Sequence, residues 1–79
     1  MNLLSNTATL LAFVRSVEAG SFSAASRALG LTPSSVSKSI TRLEAELGAK
    51  LFHRSTRHLQ PTEEGMALFE RVGPLLRGL

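Results

Sequence analysis

Three glycines punctuate the first two-thirds of this chain, and the break at Gly30-Leu31-Thr32-Pro33 constrains the fold most. It leaves almost no slack between a short helix-forming segment and a longer one. Before Gly20, residues Leu10, Phe13, Val14 and Val17 recur at i, i+3, i+4 and i+7, the spacing of one helical face. Gly20 then suits a left-handed helix end, a backbone shape that glycine adopts without steric cost. Ser21 or Ser23 caps the next segment, which carries Phe22, Ala25, Ala28 and Leu29 on one side and stops at Gly30. Thr32 is a natural N-cap, and Pro33 fits a first helical turn because its missing N–H leaves no bond unmade. Val36, Ile40, Leu43 and Leu47 give the third helix, residues 33–47, its inward face, and Gly48 ends it. Two helices of about two and four turns across a tight break form a helix-turn-helix over about 22–41.

From Lys50 to Pro61 the pattern changes. Leu51 and Phe52 open a short extended run, Ser55-Thr56-Arg57 can turn, and His58-Leu59-Gln60 can return, which predicts a small β-hairpin over about 50–61. Thr62 caps a fourth helix whose first turn holds Glu63 and Glu64, suited to the positive helix end. The expected fold is mainly α: a winged helix-turn-helix with a three-helix core, a hairpin wing and a C-terminal helix. The first domain covers 4–61 and the C-terminal helix 62–79.

Composition narrows the partners. Seventy-nine residues, 43% of them hydrophobic, support one modest core and exclude a two-lobed enzyme. A formal net charge of +3 favours an anionic partner. Without cysteine there is no disulfide, thiol nucleophile or Cys-based zinc site. No signal peptide and no membrane-length apolar run are present, so a cytoplasmic location is expected.

On a wheel of about 100° per residue, the third helix turns Ser34, Ser37, Lys38, Thr41 and Arg42 outward. Short hydroxyls near the N-terminus permit close approach to base edges, and cations meet phosphates. Taken alone, such a face is more often simply solvated. The preceding short helix, the tight break and the basic hairpin reverse that preference towards double-stranded DNA. Lys38 is the candidate donor to guanine, Ser34, Ser37 and Thr41 read bases or hold phosphates, and Arg42 is better placed for the backbone. In the hairpin, Lys50, Arg54 and Arg57 suit phosphate or minor-groove contact, Arg54 also bracing the hairpin. Arg27 is a weaker phosphate candidate.

The runs AFVRSVEAGSFSAASRALGLTPSSVSKSITRLEAELGAKLFHRSTR and PTEEG resemble the DNA-binding domain of LysR-type transcriptional regulators over nearly the whole chain. The most specific segments are GSFSAAS, LTPSSVSKSI, LEAELGAKLFHR and TEEG. The resemblance implies a bacterial winged helix-turn-helix, makes the C-terminal helix a linker helix that pairs two protomers, and implies binding to interrupted palindromes near promoters. It matches contacting positions to Thr32, Pro33, Ser34, Ser37, Lys38 and Arg42, with Arg54 and Arg57 in the wing. Pro33-Ser34 stands where many members have Gln-Pro, and Thr56 and His58 stand where the wing turn often has glycine. Family members continue into a large effector-binding domain, so this chain is expected to be a fragment, with any small-molecule response residing elsewhere.

Leu68, Val72, Leu75 and Leu79 follow a 4-3-4 spacing flanked by Phe69 and Leu76, a surface suited to coiled-coil-like pairing with a second copy. Gly73-Pro74 interrupts that stripe and weakens the helix. An enzyme is disfavoured: with no Asp, Cys or Tyr, most catalytic sets cannot be assembled, and adjacent Glu63 and Glu64 diverge on a helix. His53 and His58 lack further ligands for zinc, so neither metal nor cofactor is expected. A single-stranded RNA binder would need exposed aromatics, whereas Phe13, Phe22, Phe52 and Phe69 fall in core phases. A protein-interaction module would want acids or apolar groups on the outer face of the third helix, which has neither.

Overall fold

The computed structural model describes residues 7–54 and 59–77. The lead-in at 1–6, the expected wing turn at 55–58 with Arg57 and His58, and Leu79 lie outside the described residues. Helices α1 (Thr7–Ala19), α2 (Phe22–Leu29) and α3 (Pro33–Leu47) precede strands β1 (Phe52–His53) and β2 (Gln60–Pro61), and α4 (Glu63–Leu76) follows. The strands pair antiparallel, Phe52 opposite Pro61 and His53 opposite Gln60.

Helix boundaries follow the local chemistry. Ser21, not Ser23, is the α2 N-cap, its hydroxyl accepting from Ala24 N, and Thr32 accepts from Ser35 N at the start of α3. Gly30 and Gly48 take left-handed conformations, φ 70° and 69°, each donating its N–H back to the last turn. The α3 range coincides with the expected 33–47.

The core sits where α1, α2 and α3 meet the first wing strand. Phe13, Val14, Ala25, Val36, Ile40 and Leu43 are fully buried, with Leu51 and Phe52 closing the wing side. Phe52 lies 5.6 Å from Phe13 in a tilted arrangement and 5.8 Å from Phe22 edge to face, so the wing strand keys into α1 and α2 through its ring. Ser16 and Ser26, also buried, bond Ala12 O and Ser23 O within their own helices, so neither strands a polar group in the core.

Three expectations about faces are corrected. Ala28 is exposed, because the short α2 turns Ala25 and Ser26 inward instead. Leu47 remains 36% exposed, because the end of α3 runs past the core and borders α4. On α4 the buried phase runs through Gly73 and Leu76, with Phe69 and Val72 half-buried against the core, while Leu75 is 74% exposed. The 4-3-4 stripe therefore divides between the chain's own core and solvent. Pro74 does not end α4, which continues to Leu76.

The wing is fastened at both edges. Leu59 N donates to Gly20 O at 3.3 Å, and Thr62 N to Leu51 O at 3.0 Å. Thr62 also donates its hydroxyl to Lys50 O at 2.6 Å while capping α4 through Gly65 N at 3.0 Å. Gly65 packs so closely on Leu51 that an added Cβ would overlap the Leu51 carbonyl oxygen.

Candidate nucleic-acid interface

The outer face of α3 is built by its buried face. Val36, Ile40 and Leu43 are each 0% exposed and hold the helix against α1 and α2, so the opposite side stands clear of the protein. Thr32, Pro33, Ser34, Lys38, Thr41 and Arg42 are exposed, and Ser37 is half-buried. None of these side chains is covered by another element as a core residue would be. The N-cap at Thr32 adds an oriented helix start, with its hydroxyl committed to Ser35 N at 3.1 Å.

Not every hydroxyl on this face is free to donate. Thr41 Oγ1 donates to Ser37 O at 3.0 Å and accepts from Arg54 Nη1 at 3.3 Å. Its hydroxyl hydrogen is thus held inside the helix. Lys38 and Arg42 are exposed cations on the same face, and Arg27 at the end of α2 and Lys50 before the wing are also exposed. Lys38 and Arg42 thus place positive charge along the first two-thirds of α3, Arg27 adds charge at the last turn of α2, and Lys50 lies just past the C-terminal end of α3. Arg57 falls outside the described residues.

Arg54 differs from the other expected contacts. Its Nη2 lies 2.8 Å from Glu44 Oε1, and its guanidinium stands over the Phe22 ring at 5.7 Å. Glu44, 4% exposed, also accepts from Leu51 N at 2.7 Å and Phe52 N at 3.4 Å. Sequence reasoning assigned Glu44 no role and missed this one. The signal was there: Glu44 follows Ile40 by four residues, so it lies within about 40° of a core position on the wheel. A carboxylate in that phase needs a buried set of donors.

Among the described residues no three His, Cys, Asp or Glu side chains converge on a metal position, and no helix is long and apolar enough to cross a membrane. A shallow apolar groove lies between the end of α3 and α4, floored by Leu47, Leu51, Ala67 and Leu68 and rimmed by Glu64 and Arg71.

A short helix, a tight glycine break, an uncovered second helix and an antiparallel wing ladder define a winged helix-turn-helix. Residues 7–66 match the model for the bacterial regulatory helix-turn-helix proteins of the lysR family. The chain belongs to that family. It is 48% identical over 90% of its length to the HTH-type transcriptional regulator AceR of Acinetobacter baumannii, and 43% identical over 96% to the probable HTH-type transcriptional regulator LtrA of Klebsiella pneumoniae. It spans about a quarter (24%) of the length of each of these relatives. Among solved structures, the BenM_DBD/catB site 1 DNA complex superposes with a TM-score of 0.85 at 34% identity, covering 96% of this chain and 80% of that one. The CbnR_DBD-DNA complex gives 0.80 at 32% identity, covering 86% and 78%.

Proposed function

We propose that this chain is the DNA-reading part of a bacterial transcription regulator, binding duplex DNA sequence-specifically by placing α3 in the major groove. The observation that carries the reading is the division of α3: Val36, Ile40 and Leu43 wholly buried, Ser34, Lys38 and Arg42 exposed. Such a rod is held rigidly by one side and offers the other to a groove wide enough for a helix. The likeness to BenM and CbnR, whose related chains are in complexes with DNA, supports it, as does the naming of its relatives as transcriptional regulators rather than enzymes.

In this reading Ser34, Ser37 and Lys38 meet base edges, with Thr32, Pro33 and Thr41 packed close to the groove. Arg27, Arg42 and Lys50 take phosphates, and Arg57 is assigned a phosphate or minor-groove contact. The reading domain runs over 4–61 and the linker helix over 62–79. Two copies pair through α4 and the apolar groove beside it, with Leu68 and the exposed Leu75 contributing more than the buried Leu76. The protein acts in the bacterial cytoplasm, and any effector would bind a domain outside these residues.

Selection of preferred duplexes from random-sequence DNA, followed by a salt titration on the winner, tests the function. The expected result is a reproducible recovered motif whose binding weakens steeply with salt. Recovery of no motif, with equal binding to every duplex, rejects sequence reading.

A further inference from the structure

We infer that Glu44 and Arg54 are positioning residues: together they lock the wing to the reading helix, and Arg54 acts on DNA selectivity through that lock without itself taking a phosphate. The inference rests on the duplex-reading role of α3 proposed above. Its basis is where the Arg54 guanidinium sits. Nη2 is held by Glu44 Oε1 at 2.8 Å, Nη1 by Thr41 Oγ1 at 3.3 Å, and the plane stands over Phe22. Glu44 and Thr41 belong to α3, Phe22 to α2, and Arg54 to the chain leaving β1. One side chain therefore ties three elements, and only 34% of it is exposed.

The carboxylate end is equally committed. Glu44 Oε2 accepts from Leu51 N and Phe52 N, the two residues that carry the chain into the wing, while Oε1 serves Arg54. Every donor to this carboxylate comes from the wing segment, so the lock fixes the start of the wing as well as its first cation. The planar guanidinium has a rigid fork of donors. Swinging out to a phosphate releases Glu44 and leaves a 4%-exposed carboxylate without its countercharge, so the guanidinium is held where Glu44 and Thr41 place it. Lysine keeps the charge but not the fork. Holding two DNA-facing pieces at a fixed mutual angle favours the one duplex whose groove geometry fits both, and does little for binding to a generic backbone.

The test compares Glu44→Gln, Arg54→Lys, Arg54→Ala and the Glu44→Gln/Arg54→Ala double variant of this chain. Binding is measured on a duplex selected by the wild-type protein and on a scrambled duplex of equal length and composition. Far-ultraviolet circular dichroism establishes that each variant is folded. For every single variant, affinity for the selected duplex is expected to fall about tenfold, with less than about a twofold change on the scrambled one. The slope of log K against log salt stays at the wild-type value, and Glu44→Gln adds no loss to Arg54→Ala. Equal weakening on both duplexes, with the slope of Arg54→Ala reduced by about 0.9, is the signature of a lost phosphate contact and overturns the inference. Wild-type selectivity in Arg54→Lys overturns it as well. If Glu44→Gln does not fold, the two Arg54 variants still decide between these outcomes. A wild-type chain that prefers no duplex fails the duplex-reading role first, and the positioning role with it.

Discussion

Lys38 stands exposed in the middle of the outer α3 face, and no hydrogen bond or ion pair within the described residues engages its ammonium. In the proposed reading it is the side chain that discriminates bases. Lys38→Ala is expected to cost about 1–3 kcal/mol of binding to a preferred duplex while sparing random DNA. A fluorescence-anisotropy titration of both duplexes measures this, and equal weakening on the two would assign Lys38 to the backbone. Gly65 presents the opposite situation, since its neighbourhood has no room. Placing a Cβ against the Leu51 carbonyl forces α4 away from the wing. Gly65→Ala should destabilise the domain by about 1–3 kcal/mol despite alanine's better helix propensity. Chemical denaturation checks it, and a variant as stable as the wild type would show that α4 shifts freely. The TEEG run resembles the family's, but nothing local in it announces that its glycine meets the carbonyl of Leu51, fourteen residues back. Glu44 was more legible. An acid in a helix's apolar phase is a physical question, and its answer depended on knowing where Arg54 returns in space.

Among the elements, the junction of wing and α4 gathers several hydrogen bonds on one residue. Thr62 caps α4, donates to Lys50 O, and contributes its backbone N–H to Leu51 O. Thr62→Ala removes the cap and the hydroxyl bond together and should lower stability by about 1–2 kcal/mol. For a domain of this size that corresponds to a fall in Tm of about 4–8 °C per kcal/mol, read by thermal circular dichroism. A Tm within 1–2 °C (roughly the resolution of such a scan) of the wild type would assign the junction's strength to packing alone. The helices were readable because their signals are local: Gly20, Gly30 and Gly48 mark ends, Ser21, Thr32 and Thr62 mark starts, and the apolar phase between them has helical period. The hairpin was readable as an element but not in its attachments. Leu59 N reaching Gly20 O joins residues far apart in sequence, and no periodicity carries such a bond.

At the scale of the molecule, the longest dimension is 30 Å, slightly less than the roughly 34 Å between successive major-groove faces of straight duplex DNA. In the proposed reading one copy covers one such face, and an interrupted palindrome takes two. The surface offered for pairing is narrower than the α4 sequence suggests, because Leu76 is spent on the chain's own core and Leu75 points to solvent. Sedimentation of this chain with and without a preferred duplex should therefore show mostly monomer alone and two copies on DNA. A single copy on DNA at high protein concentration would remove pairing through α4 from the account. Replacing Leu75, which is exposed, by Glu should weaken the two-copy complex without changing the fold.

The order of elements, the start and end of α3, and the polarity of its outer face were set by the amino-acid sequence alone, since each depends on residues within a few positions of one another. Which face of α4 the core takes, how closely Gly65 meets Leu51, and that Arg54 is engaged by Glu44 and Phe22 were decided only by the tertiary structure. These contacts join segments from ten to more than forty residues apart, and their strength comes from burial and geometry, which arise only once the helices have packed.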